Sequence, residues 1–135
     1  MAEYKSVEVT VNAAPMEIFN RLTDINGFLQ SVPEEYRKDI SVDGDTLSLC
    51  YAGFTIAIRL AEKVPFSKVA FCDVEAPFHF TVTFNLSPAS LISQTVLSIG
   101  MEAELNFMMK SLLGGKIKEF LDKAATTIAS GALIA

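Results

Sequence analysis

The chain has no tryptophan, one histidine and two cysteines among its 135 residues. Each scarcity removes a class of chemistry. The two cysteines, Cys50 and Cys72, are too few and too far apart for a structural zinc site. They read as small buried apolar groups rather than a disulfide. No G-x-S-x-G, P-loop, H-E-x-x-H or glycine-rich dinucleotide fingerprint occurs, which speaks against the commonest enzyme designs. Lysine and arginine form no run, and the net charge is −5, so neither nucleic acid nor an anionic membrane is expected as partner. No apolar run approaches the roughly 18 residues of a membrane-spanning helix, so no stable membrane insertion is expected. The opening MAEYKSVEVTV has no basic segment leading into an apolar one, and a cytoplasmic location is expected. There is no internal repeat, and nothing calls for a cofactor or a metal.

Apolar side chains are abundant. Half of the residues are hydrophobic, and the mean hydropathy is +0.35. Within one domain spanning 1–135, that surplus must line a core, a cavity or a partner surface.

Its clearest pattern runs from Asn106 to Ser130. Met109, Leu113, Ile117, Phe120, Leu121, Ala124 and Ile128 fall within an arc of about 120° on a helix of 3.6 residues per turn. Lys118, Glu119, Asp122 and Thr126 fall opposite, and Lys116 and Lys123 flank one edge of the stripe. Asn106 is placed to cap the start and Gly131 to end the helix. Gly114 and Gly115 inside it cost about 1 kcal/mol each relative to alanine, which predicts a bend or a close approach to the sheet.

Nearly everything earlier alternates with period two. Val7, Val9 and Val11 predict a half-buried first strand. Pro15 opens a short amphipathic helix carrying Met16, Ile18, Phe19 and Leu22. Thr23 and Asp24 offer a cap to a second with Ile25, Phe28, Leu29 and Val32, and 34–38 reads as a solvated charged connection. Six strands follow. Asp43-Gly44-Asp45 is a hairpin signal. Leu47, Leu49 and Tyr51 share a face, Gly53 marks a turn, and Phe54, Ile56, Ile58 and Leu60 share the next. Val69 and Phe71 begin a strand whose facing is ambiguous. Phe78, Phe80, Val82, Phe84 and Leu86 oppose His79, Thr81, Thr83 and Asn85. Leu97, Ile99, Met101, Ala103 and Leu105 complete the set. Short turns between consecutive strands imply an antiparallel sheet, and helices set apart from strands imply an α+β class.

This order of elements resembles the helix-grip fold of the START-like superfamily, also called SRPBCC. The resembling residues are the run Ser6 to Phe19, which is similar to that family's strand followed by a-P-x-E-[VI]-[FW], the hairpin Val42-Asp43-Gly44-Asp45, and the segment Leu113 to Leu121. The resemblance implies a curved seven-stranded antiparallel sheet wrapped around the C-terminal helix, with two short helices after the first strand. It also implies a cavity between sheet and helix for an apolar or amphipathic small molecule, such as a lipid. The inner-face residues that would meet such a ligand are Tyr51, Phe54, Ile56, Ile58, Phe71, Phe80, Phe84, Ile99, Met101, Met109, Leu113, Ile117 and Phe120. Ring-hydroxylase members carry a two-histidine, one-carboxylate iron site, which a chain with one histidine cannot reproduce.

Polar candidates are few. His79 points outward by its strand pattern. Tyr51 shares the inner face. Asp73, if turned inward, would have a raised pKa and could act as an acid. Arg59 should be outside, and Lys110 could reach the cavity mouth and meet an anionic group. The expected function is binding of an apolar small molecule or lipid. One alternative is a polyketide cyclase-like enzyme using Tyr51 or Asp73. Another is an interaction module, for instance a homodimer, using Ala57, Ala61, Ala70, Cys72, Val74, Val96 and the apolar tail 132–135.

Overall fold

In a computed structural model describing residues 2–32, 34–51, 53–90 and 93–132, apart from the side chains of Gln30, Ser31, Tyr36, Tyr51, Phe54 and Ala132, the strands form one antiparallel sheet. The strands are β1 (Ala2–Lys5), β2 (Val9–Val11), β3 (Ser41–Asp43), β4 (Thr46–Tyr51), β5 (Phe54–Val64), β6 (Lys68–Glu75), β7 (Phe80–Pro88) and β8 (Thr95–Ala103). Their spatial order is β1-β8-β7-β6-β5-β4-β3, with β2 also paired to β8. The helices are α1 (Pro15–Thr23), α2 (Ile25–Ser31), α3 (Glu34–Arg37) and α4 (Phe107–Thr127). The expected α+β helix-grip architecture is therefore present, with the long helix against the concave face of the sheet.

Local sequence accounts for most of these elements. Pro15 takes the first turn of α1, where its missing N–H costs nothing. Asn106 accepts the Met109 N–H at 2.8 Å and caps α4. The hairpin glycines Gly44 and Gly53 hold φ of +63° and +82°, a region that side chains with a Cβ disfavour. Register shifts in the β5–β6 pairing, between Ala57 and Ile58 and between Leu60 and Glu62, mark bulges. Bulges bend a strand and sharpen its twist, which curls the sheet around the helix.

The first strand departs from expectation. It divides into β1 and β2, because Ser6, Val7 and Glu8 face only Ile99 and Ser98 of β8. The extra residue reverses the facing. Ala2, Tyr4 and Ser6 turn toward the core, whereas Val7 is 48% exposed and the inward set resumes with Val9 and Val11. Ser6 holds the irregularity together. Its N–H donates to the Ile99 carbonyl at 2.8 Å, its Oγ accepts the Ile99 N–H at 2.9 Å, and its hydroxyl donates to the Val7 carbonyl at 2.9 Å. The Val7 N–H donates to Asp122 Oδ1 of α4 at 2.8 Å. Lys118 donates to the same carboxylate, and together these bonds hold its pKa below the usual carboxylate value.

Other expectations are corrected. α4 does not stop at a left-handed Gly131 but runs on as a π-helical turn, Ile128–Ala132, that keeps Ile128 fully buried. Asp24 stands at the N-cap of α2 without a side-chain cap bond, and Thr23 donates instead to the Phe19 carbonyl. The charged connection contains a helical turn, α3, tied down by Arg37 Nε donating to the Val32 carbonyl and by Glu35 pairing with Lys123. The strand carrying Phe80 begins at that residue, leaving Phe78 in the connection before it. Cys50 is exposed and Cys72 half-buried, both as free thiols, because each lies on the outer face of the sheet. Tail residues 133–135 lie outside the described residues.

The core is uneven along α4. Leu121 is 2% exposed and Ala125 and Ile128 are 0% exposed, packed among Ile18, Leu22, Val69, Leu97 and Ile99. Toward the N-terminal end Leu112 is 66%, Met108 70% and Phe107 86% exposed. The Gly114 turn lies close to β1, since a Cβ there would sit 3.2 Å from the Tyr4 hydroxyl, whereas one on Gly115 would meet nothing within 4 Å. Gly114 is thus explained by the close approach; nothing in the structure explains Gly115.

Replacing Ser6 with alanine should leave the buried Ile99 N–H without a partner and cost about 1–2 kcal/mol of stability, measured by urea unfolding. A loss below about 0.5 kcal/mol, the scale of an ordinary surface substitution, would show that Ser6 does not hold the bulge.

Candidate functional site

Between the concave face and α4 lies a cavity of about 180 Å³. Period-two alternation in the strands and the apolar stripe of α4 aim the same kind of side chain at it from both sides. Leu47 and Leu49 come from β4, Ile56 and Ile58 from β5, Phe80, Val82 and Phe84 from β7, and Ile99 and Met101 from β8. Leu113, Ile117, Phe120, Leu121 and Ala124 come from α4, and Phe28, Val32 and Ile40 close one end. Pro77 and Phe78 of the β6–β7 connection also line the wall. Lys116 is the one charged side chain among the described lining residues. No described buried side-chain nitrogen or oxygen lacks a hydrogen-bond partner, so the interior aims no waiting polar group at a bound molecule.

Of the residues expected to face a ligand, Ile56, Ile58, Phe80, Phe84, Ile99, Met101, Leu113, Ile117 and Phe120 all border this cavity. Phe71 does not. It packs in an aromatic cluster with Phe28, ring centroids 4.2 Å apart, and with Phe84 at 5.9 Å. Met109 does not either, because it sits in the capped first turn of α4, a turn before Leu113. The side chains of Tyr51 and Phe54 lie outside the described residues. Phe28, Val32, Leu47, Leu49 and Val82 were each legible as inner-face residues by their spacing. Pro77 and Phe78 sit in a connection without a period, and no local signal places them. Lys110 is exposed and absent from the wall, again because the first turn of α4 projects past it. Lys116, at the edge of the apolar stripe, takes the position expected of Lys110.

Asp73 shares the inner-face parity of Val69 and Phe71, but its carboxylate is turned into the chain. Oδ1 accepts the Phe80 N–H at 2.9 Å, and Oδ2 lies 2.9 Å from His79 Nδ1. Desolvation pushes its pKa up, but the bonds from Phe80 and His79 outweigh this, and the net shift is downward. The raised pKa expected of an inward acid is therefore not found. His79 is exposed, as its alternation predicts, and its pKa is raised by the bond to Asp73 and by the charges of Asp73 and Glu104. The pair fastens the connection that carries Pro77 and Phe78 onto the cavity. Arg59 is exposed. Among the described residues no cluster of three His, Cys, Asp or Glu side chains could hold a metal ion.

The fastening has a defined pH window. Asp73, lowered in the folded state, contributes stability above its ordinary value of 3.8 that is lost as pH falls through the folded value. His79, raised in the folded state, contributes stability below 6.5 that is lost as pH rises through its folded value. An NMR titration should find the His79 imidazole titrating above 6.5, and Asp73→Asn should return it toward that value. An imidazole that titrates identically in the two proteins would show that the pair does not form.

No protein-family model and no curated protein matches the chain. Solved structures do. XoxI from Bacillus cereus superposes with a TM-score of 0.77 at 12% identity, covering 98% of this chain and 96% of that one. Norcoclaurine synthase from Thalictrum flavum gives 0.75 at 12% identity, covering 99% and 87%. An Aha1 dimer from Colwellia psychrerythraea gives 0.55 at 15% identity, covering 90% and 97%. At such identities the likeness establishes the fold alone, a curved antiparallel sheet closed over a C-terminal helix.

Proposed function

We propose that this protein binds a small apolar molecule in the cavity between its sheet and α4. The observation that carries the reading is the cavity itself, about 180 Å³ and walled by aliphatic and aromatic side chains. Apolar cavities of about 150 Å³ stay dry and accept benzene-sized ligands, because water inside them finds no hydrogen-bond partners. A body of that size buries roughly 150–250 Å² by the measure of an aromatic side chain. At about 25 cal/mol/Å², this gives roughly 4–6 kcal/mol before the cost of lost motion. The cavity lies below the roughly 300–1,000 Å³ of drug-sized sites, which favours a single ring or a short acyl chain over a large lipid. Two free thiols, Cys50 and Cys72, suit the reducing cytoplasm. No described helix is long and apolar enough to cross a membrane. A cyclase-like reaction needs an acid or base facing the ligand, and the described walls offer only Lys116.

Toluene at millimolar concentration should raise the unfolding midpoint by mass action. Val82→Phe, which places a ring in the cavity, should abolish that rise while leaving stability within about 1.5 kcal/mol of the parent. A midpoint unmoved by toluene, cyclohexane and octanol alike would overturn the reading.

A further inference from the structure

We propose that Lys116 makes the cavity selective for a small monoanionic amphiphile, a carboxylate on a short apolar chain, with the chain inside and the carboxylate at the mouth. The inference rests on the cavity-binding reading and adds the chemical class of the ligand. Lys116 borders the cavity from α4, adjacent to Ile117 and one turn from Leu113 and Phe120, all three of which border it too. Its residue is exposed. A lysine in this position lays its four-carbon stem on apolar surface and keeps its ammonium in water. The ammonium therefore marks the place where a ligand's polar end would emerge.

The charges around it are already matched. Lys118 pairs with Asp122 at 2.9 Å, and Lys123 pairs with Glu35 at 2.9 Å and Glu119 at 3.5 Å. Lys116 has no such carboxylate among the described residues. An uncharged ligand could gain no more than an ordinary hydrogen bond from it, and a cation would be repelled. A monoanion bound by its tail would bring the missing partner and form a charge-assisted hydrogen bond. One lysine is a single point charge with no fork geometry, which suits one carboxylate better than a dianion. Lys116 is exposed, so its charge contributes selectivity while the apolar walls supply most of the affinity.

The test compares octanoate, octanol and octylamine by calorimetry on the whole protein and on Lys116→Gln and Lys116→Glu. The substitutions lie on an exposed helix position, so folding is retained, and octanol binding reports an intact cavity. Octanoate should bind the parent at least as tightly as octanol, and octylamine more weakly. Lys116→Gln should weaken octanoate about threefold to fivefold, and Lys116→Glu should weaken it further. Octanol should stay within twofold throughout. Raising the salt to 1 M should erase the octanoate advantage. Octanol binding with octanoate indifferent to both substitutions would overturn this proposal alone. If neither octanol nor octanoate binds the parent, the cavity reading falls and this one falls with it.

Discussion

The grip of the sheet on the C-terminal half of α4 is the contact on which the rest of the structure depends. Leu121, Ala125 and Ile128 leave almost no surface to solvent and belong to one buried cluster with side chains from α1, α2 and five strands. Burial at this end holds the helix as a rigid lever. The other end is free to stand over the sheet without filling the space beneath it. A helix buried evenly along its length would leave no cavity, and a helix held at neither end would have no fixed position. The uneven grip turns a hydrophobic core into a walled space.

The bulge at Ser6 serves the same arrangement. One extra residue reverses the facing of β1, so that Tyr4 meets α4 at Gly114 and the Val7 N–H is released from the sheet ladder. That N–H is taken by Asp122, on the polar side of the helix, whose carboxylate is also held by Lys118. A backbone N–H that leaves its ladder needs another partner, a side chain or water. Satisfying it here ties strand to helix through a bond that neither element could make alone. Asp73 performs a comparable task by receiving the Phe80 N–H and His79. Both carboxylates act on the backbone, and neither is among the described residues that line the cavity.

Much of this was legible in the residues. The stripe from Met109 to Ile128, the alternations in β4, β5, β7 and β8, and the two glycine hairpins are local patterns, and each appears where its spacing requires. Misplaced residues share a different cause. Val7 reads as inward because its alternation is intact, yet a bulge is a relation between two strands and leaves no mark in one. Gly131 reads as a stop because glycine permits one, but the helix runs on through a π turn in which Ile128 is fully buried. Cys50 and Cys72 are apolar by type, and only the facing of their strands puts them outside. On a helical wheel Lys110 falls within the apolar arc and Lys116 at its edge, which favours Lys110. How far α4 extends past the sheet separates them.

The sequence by itself determined the class of fold and the apolar character of both surfaces that enclose the cavity. Periods of two and 3.6 residues are set by backbone geometry within a single element. Tertiary structure decided which side chains reach the wall, that Lys116 and not Lys110 is among them, and that the Asp73 carboxylate receives the Phe80 N–H and His79. Those outcomes follow from which strand ends lie beside which turns of α4. Such long-range registers are fixed only when the whole chain packs.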